Sequence, residues 1–251
     1  MCMKEDRGAE KPWPKPAYNV QIGTEGQFVV GFSVHARAGD TACLIPHLEN
    51  LRTRLGRLPK NVFTDEGYGS EENYAYLEQH DLGNFLKYNT FYLDTHHFRK
   101  PELIRKRQFR AENFAYDPEH DEFICPAKQR LTFQYTSRYT SDNTYVTDRR
   151  LYECHACADC ELKGECTRAK GNRKIHISFC LLEYFRHVRV NLTSEAGQRL
   201  RARRSTEVEP VSGSIKQNMG FRRFHLHGLK EVKTEWGLVS IAHNMKKLAA
   251  S

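Results

Sequence analysis

FTDEGYGSEENYAYLEQH, residues 63–80, runs from the end of a strand through a glycine turn into a helix. A short apolar strand, LPKNVFTD, ends on Asp65, and a Gly-Tyr-Gly turn follows. SEENYAYLEQH (70–80) then reads as a helix with Ser70 as N-cap. Glu71 and Glu72 fall in its first turn, where the helix dipole favours negative charge. A strand running through a glycine turn into a helix is an α/β signature, and in α/β sheets active sites gather at the carboxyl ends of strands. Phosphoryl-transfer enzymes that use two divalent metals place carboxylates there, because hard oxygen ligands hold Mg²⁺ against the reacting oxygens. The plainer reading of Asp65 is an aspartate opening a turn.

Upstream, YNVQIG and QFVVGFSVHA read as two strands of an antiparallel hairpin around a Thr-Glu-Gly turn. In TACLIPHLENLRTRLG, Leu44, Leu48, Leu51 and Leu55 share one helix stripe, with Pro46 in the first turn. NFLKY (84–88) is a further strand, so strand, helix and strand follow one another as in a crossover within a mixed sheet. The first seventeen residues are polar, Pro-rich and read as unstructured.

Downstream the character changes. KPELIRKRQFRAENF is basic and weakly patterned, and residues 115–180 alternate short β-like pieces with turns and carry most of the cysteines. Helical periodicity returns with Leu181, Phe185, Val188 and Leu192, continues to about Asn218, and resumes from Gly228 to Leu248. In the last helix Leu229, Val232, Trp236, Val239 and Ile241 read as core. The organisation is an α/β body over 18–90 and 181–251, interrupted by a basic, cysteine-rich β/loop insertion over 91–180.

Across 251 residues, 39% are hydrophobic and 28% charged, and no apolar run is long enough for a membrane span or a secretion signal. The net charge of +8 favours a polyanionic partner, nucleic acid before membrane. Arg99, Lys100, Arg105, Lys106, Arg107 and Arg110 form one basic cluster. Arg199, Arg201, Arg203 and Arg204 form another, and Arg222 and Arg223 follow. Such residues bind phosphates through counterion release, although a charge run is also the ordinary dress of a solvated surface. In EVEPVSGSIKQNMGFRRF (207–224), Glu209 and Lys216 are seven residues apart, two α-helical turns, and face one way. Glu207, nine residues from Lys216, falls on the opposite side. Pro210 implies that the helix starts or bends there. Eight cysteines in a chain without a secretion signal point to metal before disulfides, with unliganded thiols or an iron–sulfur cluster as alternatives.

Four blocks, YNVQIGTE, GYGSEENY after the Asp-terminated strand, VEPVSGSIKQNMGFRRFHLHGL and KTEWGLVSIAHNMKKL, together resemble the DDE transposases of bacterial insertion sequences, in the branch with a cysteine-containing insertion. The resemblance runs from about Lys15 to the C-terminus. It implies an RNase H-like domain that holds two Mg²⁺ (or Mn²⁺) ions and cuts and joins double-stranded DNA at transposon ends. It implies that Asp65 is the second acid and a metal ligand, Glu209 the final glutamate and Lys216 the lysine that contacts DNA, helped by Arg201, Arg203, Arg204, Arg222 and Arg223. It also implies a structural Zn²⁺ on Cys125, Cys157, Cys160 and Cys166, leaving Cys154 spare, and a cytoplasmic, nucleoid-associated homodimer. The departures are specific. The strand that carries the family's first aspartate precedes the YNVQ block, and here only a Pro-rich stretch stands there, with MKED at 3–6 and Asp6 a poor substitute. Ser212 replaces an aromatic residue. The expectation is a C-terminal, inactive portion of a transposase, or else a non-catalytic DNA-binding remnant or a decayed open reading frame.

Overall fold

The computed structural model describes residues 17–95 and 101–250, so Asp6, the MKED stretch, Arg99 and Lys100 lie outside the described residues. The described residues are mixed α/β and group into two units, one of 17–69, 75–87 and 190–250, the other of 70–74 and 88–189.

In the first unit, β1 (Asn19–Glu25) and β2 (Phe28–His35) form the expected antiparallel hairpin. Gly26 and Gln27 turn it with φ of 55° and 68°, the pair of positive values that a tight hairpin turn demands. Helix α1 (Leu44–Leu55) buries Leu44, His47, Leu48 and Leu51. A Cβ on Gly31 would stand 2.0 Å from Leu51 Cδ2, so β2 carries glycine where α1 crosses it. Leu55, expected on the same stripe, is exposed, because the helix ends there on left-handed Gly56, whose N–H bonds Arg52 O.

Strands β3 (Asn61–Thr64) and β4 (Gly83–Leu86) pair in parallel across α2 (Glu71–Gln79), and Ser70 Oγ accepts the Asn73 N–H at 3.2 Å as the expected cap. The single mixed sheet expected from the sequence is not formed. No ladder among the described residues joins the hairpin to the parallel pair.

The long C-terminal helix divides in two: α6 (Phe179–Thr193) and α7 (Glu195–Gly213). Ser194 Oγ accepts the Gly197 N–H at 3.1 Å and starts α7 afresh. A Cβ on Gly197 would lie 2.2 Å from Asn191 O, so only glycine fits this junction. Helix α7 neither starts nor ends at Pro210. Proline has no N–H to offer the carbonyl four residues back, and Gln27 Nε2 donates to that carbonyl, Thr206 O, at 2.7 Å. A π turn, Ser214–Asn218, follows.

Helix α8 (Leu229–Leu248) packs on β2. Val232 and Trp236 join Val29, Val34, Val211 and Ile215 in the core. Leu229 and Ile241, expected in that core, are exposed. The inward positions are Val232, Trp236, Ser240 and His243, and Ile241 is rotated off that line by the helical period.

The second unit is a five-stranded antiparallel sheet in sequence order, β5 (Ala115–Asp117), β6 (Glu122–Ile124), β7 (Arg130–Thr140), β8 (Val146–Cys154) and β9 (Lys174–Ile177). Phe114, Phe123, Leu131, Tyr152, Ile175 and Ile177 fill its core. The Glu71 carboxylate accepts from Thr147 Oγ1 and Ser178 Oγ, both at 2.6 Å, so the first turn of α2 is tied to this sheet by hydroxyls. Helix α3 (Phe91–Thr95) precedes the basic, weakly patterned stretch, and α4 (Pro101–Gln108) lies within it. Among the described residues no helix is long and apolar enough to cross a membrane.

Candidate metal and nucleic-acid site

Asp65 leaves β3 in an extended conformation and precedes a 3₁₀ turn, Glu66–Tyr68. That turn is tied down twice. Thr41 Oγ1 donates to Gly67 O at 2.8 Å, and the Tyr68 hydroxyl donates to Gln21 Oε1. Gln21 and Asn19 in turn both donate to Asp40 Oδ1, at 3.1 and 2.7 Å. Burial, reinforced by the Asp40 charge, raises the Tyr68 pKa, so the phenol stays a donor. The Asp65 carboxylate is therefore presented by a fixed turn, half-exposed, at the end of a strand.

Its partner comes from α7. Arg204 donates to Asp65 Oδ2 at 2.9 Å across 139 sequence positions. Glu209 lies five residues further along the same helix, about 7.5 Å of rise, and is exposed. Glu207, half-buried, is engaged by Arg203 Nε at 2.7 Å. Lys216 falls in the π turn and is exposed. Among the described residues no group of three or more His, Cys, Asp or Glu side chains stands ready to hold a metal ion.

The arginines are less free than their clustering suggests. Arg199 pairs with Glu195 at 2.6 Å and Arg204 with Asp65. Arg105 lies 3.6 Å from Glu165, and Arg110 pairs with Glu112 at 2.7 Å. Arg201 is half-buried. Arg222 and Arg223 are exposed beyond the π turn.

The cysteines converge in the second unit. Cys125, Cys154, Cys157, Cys160 and Cys166 line one cavity of about 20 Å³, together with Phe109, Leu162 and Arg173, room for a single small ion or water. All are free thiols. Cys157 Sγ accepts the Arg173 backbone N–H at 3.4 Å. Arg173 Nε is buried without a hydrogen-bond partner, so a cation faces the thiols from the cavity wall. Burial raises the Cys166 thiol, Arg173 pulls it back, and Cys125, Cys157 and Cys160 raise it again. Cys154, left spare by sequence reasoning, is a fifth member of the group. Burial first, and Cys157 beside it, push it up to about 11. The donor set suits a thiophilic ion, although the thiols do not stand in ligating geometry.

Sequence reasoning did not find the Arg204–Asp65 pair or the Asn19–Gln21–Asp40–Tyr68 support. No local spacing signals either, because each joins elements distant in sequence.

A family model described as a transposase DDE domain matches residues 124–249, half of the chain. The matched span includes all four proposed zinc thiols, Glu209 and Lys216, while Asp65 lies outside it. No curated protein and no solved structure matches the chain.

Proposed function

The chain belongs to the transposase DDE-domain family, and from that premise we propose that it acts in DNA transposition by metal-dependent phosphoryl transfer, with Asp65 and Glu209 as Mg²⁺ ligands. The observation that carries this reading is the Arg204–Asp65 ion pair, which draws the carboxyl end of β3 to the helix that bears Glu209. Carboxylates on both sides would hold the metal ions, and the ions' positive charge would neutralise the negative charge that develops on a phosphodiester during in-line attack. Arg204 would then be displaced from Asp65 toward the DNA phosphates, with Lys216, Arg201, Arg203, Arg222 and Arg223 as further contacts. We place the catalytic body at 18–90 and 181–251, RNase H-like, and the insertion at 91–180. The separation of the hairpin from the parallel pair favours this, because an RNase H-like sheet has a central strand between such halves, the strand that bears the first acid.

The test is incubation of the chain with Mg²⁺ or Mn²⁺ and labelled insertion-sequence-end DNA. Strand cleavage abolished by Asp65→Ala and by Glu209→Ala supports the assignment, and cleavage that survives both sinks it. A second reading, a non-catalytic DNA-binding chain, is favoured because no group of three or more His, Cys, Asp or Glu side chains able to hold a metal stands together among the described residues. Salt-dependent DNA binding without any metal-dependent cleavage is its signature.

For the cysteines we propose a structural Zn²⁺ on Cys125, Cys157, Cys160 and Cys166, its thiolates supported by Arg173. The expected outcome is about one zinc per chain, lost in Cys160→Ser and kept in Cys154→Ala. Metal-free protein with the same thermal midpoint as zinc-loaded protein counts against it.

A further inference from the structure

A tetrahedral ion takes four thiolates, and five cysteines line the small cavity of the second unit. The extra one, Cys154, closes β8 and is 2% exposed, in the same core as Cys157 at 7%. Cys125, Cys160 and Cys166 are only half-buried. The main chain of Arg173 holds the two buried cysteines from one side. Its carbonyl accepts the Cys154 N–H at 3.0 Å, and its own N–H donates to Cys157 Sγ at 3.4 Å. Cys157 Sγ also lies 4.0 Å from the Cys154 carbonyl oxygen. Cys154 and Cys157 are spaced C-x-x-C, the spacing of dithiols that cycle through a disulfide. Cys160 stands at the same spacing from Cys157, but no hydrogen bond among the described residues ties it to Arg173.

We propose that Cys154 and Cys157 are an oxidative modification site, a dithiol that hydrogen peroxide converts to a disulfide. The Cys157 sulfur attacks one peroxide oxygen, the O–O bond breaks, and a sulfenic acid and one water form. The Cys154 sulfur then attacks that sulfur and expels its hydroxyl, which leaves as a second water with the Cys154 proton. Two thiols are oxidised to one disulfide, and one peroxide is reduced to two waters. A surface hollow of about 560 Å³ shares Ala156 and Cys160 with the thiol cavity and gives a small oxidant its way in.

The pairing needs no metal, and only its consequence rests on the zinc reading above. With Cys157 in a disulfide, the thiolates proposed for the ion fall to three and the ion is released. Cys154 makes that loss reversible. A sulfenic acid captured as a disulfide is spared the irreversible sulfinic stage, and a thiol reductant restores both groups.

The test treats the zinc-loaded full chain with hydrogen peroxide, alkylates the thiols that remain and digests with trypsin. The peptide 151–163 carries Cys154, Cys157 and Cys160. The expected product is lighter by about 2 Da, the two hydrogens lost to one disulfide, with the alkyl group on Cys160. A chromophoric chelator reads zinc release in the same sample, and dithiothreitol should restore zinc binding. In Cys154→Ala the disulfide should be absent, Cys157 should go on to the sulfinic acid, and dithiothreitol should no longer restore binding. Cys180→Ser, at an exposed cysteine outside the cavity, should behave as the wild type. Far-UV circular dichroism of Cys154→Ala before oxidation separates lost chemistry from lost folding. A Cys157–Cys160 disulfide overturns the proposal. So does a wild-type peptide without a disulfide, or full reversibility in Cys154→Ala. A chain that holds no zinc yet forms the Cys154–Cys157 disulfide supports the pairing and removes the zinc reading.

Discussion

His47 lies on the buried side of α1, its Nδ1 2.9 Å from the Ser33 hydroxyl, which also lies 2.8 Å from His35 Nε2. Burial first, and then the nearby His35, lower its pKa to about 4, against about 6.5 in an unfolded chain. Between those values the unfolded state binds more protons than the folded one, so stability falls as pH falls through the window. The contribution of neutral His47 is complete above about pH 6.5, and about 3 kcal/mol of it is lost by pH 4. Urea midpoints at pH 7 and pH 4.5 should therefore converge for His47→Gln and separate for the wild type. Equal pH dependence in the two proteins would remove His47 as the cause. The contrast with its neighbours shows what was legible at this scale. Leu44, Leu48 and Leu51 could be read from their period alone. His47 shares their face, but its partner hydroxyl is on another element, fourteen positions back. Asp65 was legible as a carboxylate at a strand end, while its arginine, 139 positions away, was not.

Among the elements, α7 shows how a tertiary contact decides what local chemistry leaves open. Pro210 alone argues for a helix boundary, yet the helix runs on to Gly213. The carbonyl that Pro210 orphans is taken by Gln27, from the turn of the β1–β2 hairpin. Gln27→Ala should cost about 1–2 kcal/mol, the usual penalty for leaving a polar group unpaired. Gln27 Oε1 also accepts from Lys247 at 3.0 Å, so the single variant alone does not isolate the Thr206 bond. A double-mutant cycle does. In a Pro210→Ala background, residue 210 regains an N–H for Thr206 O, and the cost of Gln27→Ala should shrink by about 1 kcal/mol. Chemical denaturation of the four proteins measures this, and a coupling near zero would mean that Gln27 acts elsewhere. The same logic explains the other elements that differed from expectation. The Ser194 cap was in the sequence, but helical periodicity on both sides hid the break between α6 and α7. Helix α4 buries no residue, so it offered no apolar stripe to read. The strands of the second unit, by contrast, announced themselves through alternation and turns.

For the molecule as a whole, the net charge of +8 is a poor guide to where DNA would lie, because much of it is already paired. Arg199 and Arg203 form helix pairs with Glu195 and Glu207, and Arg204 is held by Asp65. A paired arginine releases fewer counterions when DNA binds, since its charge is already compensated. Lys216 in the π turn and Arg222 and Arg223 beyond it are exposed, and no acidic side chain among the described residues pairs with them. Sequence clustering weighted the 199–204 run most heavily, and the ion pairs move that weight to 216–223. On the proposed function, DNA affinity should fall steeply with salt. The slope of log K against log [salt] should drop by about 2 in magnitude when Arg222→Ala and Arg223→Ala are combined, close to 0.9 for each phosphate no longer neutralised. The Arg199→Ala, Arg203→Ala pair should change the slope by less than half as much, because those substitutions also release Glu195 and Glu207. Fluorescence anisotropy with duplex DNA across a salt series measures both slopes in one experiment. If the 199–203 variant loses more slope than the 222–223 variant, the ion pairs open on binding and the α7 face, not the segment after the π turn, is the contact surface.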